Sequence, residues 1–85
     1  MYKTDNLPLA SYLYSQKDKG VKFLGTDKEN PNRVSFMFEP QGSAETLANE
    51  YYAGEGSVSP LDYFNSYKTL KDIVFETKRN KTHQP

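Results

Sequence analysis

Residues 21–39 read VKFLGTDKENPNRVSFMFE, and the spacing of their apolar side chains decides what kind of fold the chain can have. Val21 and Phe23 stand two apart, and Val34, Phe36 and Phe38 repeat that step. Successive side chains of a strand point to opposite faces, so these residues share one face of an antiparallel hairpin. Between the two arms, DKENPN (27–32) supplies the Asp, Asn and Pro of a solvated turn longer than the tight two-residue type. The other face holds Lys22, Leu24, Ser35 and Met37, a mixed set through which Leu24 and Met37 could meet a second copy of the chain.

The flanking segments switch to helical spacing. Upstream, YKT is expected to add a short edge strand, and TDNLPLASYLYSQKDKG a helix with Leu9, Ala10, Leu13 and Tyr14 on one face. Asp5 or Asn6 can cap it, Pro8 fits its first turn, and Gly20 suits its end. Downstream of EPQG, Ala44, Leu47, Ala48, Tyr51 and Tyr52 recur at i, i+3, i+4, i+7 and i+8, the pattern of one buried face. Ser43 is the expected cap of that helix and Gly54 its stop. A third helix opens at SPLD, where Ser59 caps, Pro60 takes the first position and Asp62 can complete a capping box. Val58 and Tyr63 stand at the positions of a hydrophobic staple. Tyr63, Tyr67, Leu70 and Val74 then make a central stripe, which Phe64, Ile73 and Phe75 are expected to flank.

The order is thus β-α-β-β-α-α. The expected fold class is α+β, a small antiparallel sheet covered on one face by three helices. At 85 residues there is room for one domain, assigned to 1–77, with a disordered basic tail at 78–85. Burying only about 60% of its unfolded surface, a chain of this size depends on its aromatics, and twelve Tyr and Phe supply them.

Several functions are argued against by composition. Eleven basic and eleven acidic residues balance, and Lys78, Arg79 and Lys81 hold three of the basic ones, leaving eight against eleven in the body. A dedicated nucleic-acid binder would carry a basic excess. The chain has no cysteine, hence no disulfide framework and no thiolate metal site, which fits the cytoplasm. No secretory signal or membrane-spanning run of apolar residues is expected. The single histidine, His83, falls in the expected tail, where nothing would hold it for general acid–base work. Asp27, Glu29, Asn30 and Asn32 bring oxygens to the hairpin turn but lack the spacing and closing glutamate of a calcium loop. Neither catalytic, cofactor nor metal residues are expected.

What remains is surface. Tyrosine is favoured at protein interfaces, and seven are present. The residues expected to offer an interaction surface are Tyr12, Leu24, Arg33, Met37, Tyr52, Glu55 and Ser57. The leading reading is a non-enzymatic protein-interaction or accessory domain with an unidentified protein partner, or a homodimer. The alternative is a weak nucleic-acid-binding accessory protein using Arg33 and the basic tail.

Taken together, YKTDNLPLASYL, VKFLG, RVSFMFE and ANEYYAGEGSVSPLDYFNSYKTLKDIVF resemble a family of small bacterial and phage-associated proteins known only as a domain of unknown function. The resemblance runs from Tyr2 to about Phe75, and its most specific piece is EYYAGE followed by VSPLDYF. It implies a compact intracellular domain from a phage or mobile element. It brings no catalytic residues.

Overall fold

The structure is a computed structural model that describes the backbone of residues 1–30 and 33–82 and the side chains of 1–28 and 33–77. Three strands form one antiparallel sheet: β1 (Tyr2–Thr4), β2 (Lys22–Asn30) and β3 (Arg33–Glu39), in the order β1-β3-β2. Three helices complete the chain: α1 (Leu7–Ser15), α2 (Gln41–Tyr52) and α3 (Pro60–Thr82), with a short 3-10 turn over Lys17–Lys19. The element order and the α+β class are those that the sequence predicts.

The alternation in 21–39 sets the sheet as expected. Phe36, Phe38 and Val34 are buried, Val21 is buried beside them, and Phe23 packs against the same cluster. Phe23 opposes Phe38 across the ladder, their rings 5.4 Å apart, so one cross-strand pair anchors the register. The YKT segment does join the sheet, pairing Tyr2 with Phe38 and Thr4 with Phe36. The hairpin arms run further than the sequence suggested, since β2 continues to Asn30 and most of DKENPN is strand. A bulge lies between Phe23 and Gly25, and Leu24 is the extra residue without a ladder partner.

α1 is the centre of the molecule. Leu9, Ala10, Ser11, Tyr12 and Leu13 are all buried, which happens when a helix is enclosed on most sides. The sheet, α2 and α3 enclose it, and α3 packs chiefly along it. Asn6 proves to be its cap, its Oδ1 accepting from the Leu9 amide at 3.1 Å. Ser11 brings a polar group into that buried run, and its hydroxyl donates to the Leu7 carbonyl at 2.8 Å. The 3-10 turn ends at Gly20 in the left-handed conformation, so the predicted stop lies one turn beyond the helix proper.

α2 starts earlier than expected. Pro40, in extended conformation, precedes its first turn, and Ser43 lies inside the helix rather than capping it. Ala44, Leu47 and Ala48 are buried as the spacing requires, but the face turns away from the core at its end. Tyr51 is half-buried and Tyr52 is exposed. Gly54, with φ of 75°, takes the chain out of the helix through a backbone region that side chains with a Cβ disfavour.

α3 begins with the Ser59 cap that the sequence predicts, its hydroxyl accepting from the Asp62 amide at 3.3 Å. Its inner stripe is Tyr63, Ser66, Tyr67, Leu70, Ile73 and Val74, with Leu70 wholly buried. Farther along, the Lys28 Nζ donates to the Thr77 carbonyl at 3.1 Å, joining the helix to β2. The backbone of α3 continues to Thr82, so part of the segment read as a basic tail is helical. The rest of that segment, including His83, lies outside the described residues. Among the described residues no helix is long and apolar enough to cross a membrane.

Candidate interaction surface

Three surfaces are left by this arrangement: the uncovered face of the sheet, the corner between α2 and α3, and the outer side of α3.

The uncovered sheet face is tied up by ion pairs. Lys3 meets Asp27 at 2.6 Å, and the Arg33 Nε meets an Asp5 carboxylate oxygen at 3.1 Å. Arg33 therefore stands beside an acid that would compete with any phosphate for it. Met37 is half-buried and Leu24 is 40% exposed at the bulge, so the two apolar residues expected to meet a second copy form only a small patch.

The corner is a packing unit. Tyr12, expected at the surface, is instead 3% exposed, because α1 is enclosed on most sides. Its ring lies 5.7 Å from that of Tyr51, and with Val58 and Tyr63 the two line a cleft of about 240 Å³. Gly56 forms its roof: a Cβ there would come within 2.8 Å of the Tyr12 ring. The Tyr12 hydroxyl beneath it has no hydrogen-bond partner among the described residues. The staple is formed, since Val58 and Tyr63 both pack against the core. Burial first, then the neighbouring phenols of Tyr51 and Tyr67, raise the Tyr63 phenol above its ordinary value of 10.0. Gln16, itself buried, donates to the Ser57 carbonyl at 3.2 Å and so fixes the loop to the end of α1. Glu55, Ser57 and Tyr52 are exposed, as expected of an interaction surface, and the Tyr52 hydroxyl accepts from Asn6 Nδ2 at 3.3 Å.

A further cleft, of about 460 Å³, opens between the end of α1 and β2, with Tyr14 and Phe23 as aromatic lining and Lys17 and Lys22 beside them. Lys17 sits over the Tyr14 ring, 5.2 Å from its centre. Among the described residues no cluster of His, Asp and Glu could hold a metal ion.

The outer side of α3 was missed. Phe64 and Phe75 were expected to flank the buried stripe, yet they are 59% and 64% exposed, and Leu61 is 66% exposed. At 100° per residue, Leu61, Phe64, Lys68, Lys71 and Phe75 fall within an arc of about 80° on the side opposite Leu70. Their steps of 3, 4, 3 and 4 residues are those of a seam that another helix can follow. This spacing is visible in the sequence. It went unread because the inner stripe shares the same period.

The molecule is thus an α+β domain whose outermost helix shows large apolar side chains to solvent. The chain belongs to a family described as a domain of unknown function (DUF5659), whose model matches residues 1–76. No curated protein and no solved structure matches it.

Proposed function

We propose that the domain is a non-enzymatic protein-interaction module that docks its partner along the outer side of α3. The observation carrying this reading is the exposure of Leu61, Phe64 and Phe75 on one stripe of a helix whose other side packs against the core. Single exposed apolar residues are ordinary, but several aligned with seam spacing are a recognition feature. The chain's lack of cysteine supports a cytoplasmic setting for this module. The test is affinity capture with the full chain and with the Phe64→Ser/Phe75→Ser variant, after circular dichroism has shown both to be folded. A protein retained by the parent chain and lost by the variant supports the reading. Equal retention by both would remove the α3 face from it.

A further inference from the structure

The seam on α3 also has a charge pattern, and that pattern selects a partner. Its apolar positions lie at the two ends, Leu61 and Phe64 at one and Phe75 at the other, while the two central positions are Lys68 and Lys71. Both lysines are exposed, and neither makes an ion pair or hydrogen bond among the described residues. From Leu61 to Phe75 the seam is about 21 Å long, the reach of a partner helix of about fifteen residues.

A second copy of the chain fits this seam poorly. In a parallel two-fold pairing each seam residue faces its own counterpart, so Lys68 meets Lys68 and Lys71 meets Lys71. Two antiparallel registers lay the seam along its full length with opposite apolar ends together. Opposing Leu61 to Phe75 puts Lys68 against Lys68, and opposing Phe64 to Phe75 puts Lys68 against Lys71. Whenever the apolar ends meet in these ways, cations meet in the middle, and like charges face to face are a device that rejects a partner.

Resting on the docking face proposed above, we infer that the partner is an acidic amphipathic helix, apolar at the two ends of its seam and carrying carboxylates at the two central positions. Such a helix buries Leu61, Phe64 and Phe75 and gives Lys68 and Lys71 opposite charges. The acidic partner and the exclusion of a second copy come from the same two lysines.

The experiment uses two labelled synthetic peptides of about eighteen residues, identical except at the two central seam positions, which are Glu in one and Lys in the other. Each is titrated with the full chain by fluorescence anisotropy at low and at high salt. The Glu peptide should bind on the order of tenfold more tightly at low salt, with the advantage shrinking as salt rises. Lys68→Glu/Lys71→Glu, at exposed positions that leave the core intact, should reverse the preference toward the Lys peptide. Phe64→Ser/Phe75→Ser should abolish binding of the Glu peptide. Equal binding of both peptides, still dependent on Phe64 and Phe75, would overturn the acidic partner and leave the docking face standing. Binding indifferent to Phe64 and Phe75, or no binding by either peptide, would overturn both. A concentration-dependent dimer of the parent chain that Phe64→Ser/Phe75→Ser dissociates would overturn the inference in favour of a second copy.

Discussion

Gly56 carries a constraint out of proportion to its size, because the Tyr12 ring occupies the space where a Cβ would stand. Gly56→Ala should cost about 1–3 kcal/mol in urea unfolding, the usual range for overpacking a filled site. Gly42, in the first turn of α2, has nothing within 4 Å of the same position. Gly42→Ala should be neutral or slightly stabilising, and equal losses at the two glycines would disprove the contact account. Tyr63 offers a second test at this scale. Its phenol is raised in the folded chain, so the unfolded chain ionises first as pH rises. The stability it contributes is full below about pH 10 and is lost as pH climbs through the raised folded value. Tyr2 is raised for the same first cause, burial, and adds to the effect. Urea midpoints at pH 8 and pH 11 should therefore fall less steeply for Tyr63→Phe than for the parent chain. An unchanged slope would mean that the Tyr63 phenol is not buried as described.

Among the elements, α3 carries the functional reading, and its two sides should respond differently to substitution. Leu70→Ala, on the wholly buried side, should cost about 2–5 kcal/mol. Phe64→Ser and Phe75→Ser should each change stability by less than about 0.5 kcal/mol, since exposed positions away from special contacts tolerate change. A large loss at Phe64 would place it in the core and remove the docking face. The elements themselves were legible because period 2 in 21–39 and period 3.6 elsewhere cannot be satisfied by one conformation. The signals at helix starts also read correctly at Asn6 and Ser59, where a side chain accepts from the backbone. Periodicity gave less on α3: Phe64 and Phe75 lie beside the inner stripe in sequence, and only the packing of α1 against the opposite side decides that they face outward. The bulge at Leu24 was illegible for a related reason, since it depends on how β2 registers against β3. The continuation of α3 to Thr82 lacks apolar anchors, though Lys and Arg favour helix in their own right.

At the scale of the whole molecule, the sheet, α2 and α3 close around α1, and beyond the packed corner two surfaces face outward. One is the ion-paired face of the sheet, with Lys3 held to Asp27 and Arg33 to Asp5. The other is the outer side of α3, where large apolar residues flank two lysines that have no ion-pair partner among the described residues. Seven residues singled out in the sequence are spread over the core, the corner and the sheet, and they do not converge on one site. Tyr12 illustrates why: tyrosine suits both a core and an interface, and only tertiary enclosure separates the two. The central claim, that partners dock on α3 and not on the sheet, is tested most directly by amide chemical shifts of the labelled full chain as the acidic peptide is added. The account predicts saturable shifts concentrated between Leu61 and Phe75. Shifts confined to Leu24, Arg33 and Met37, with α3 unmoved, would contradict it.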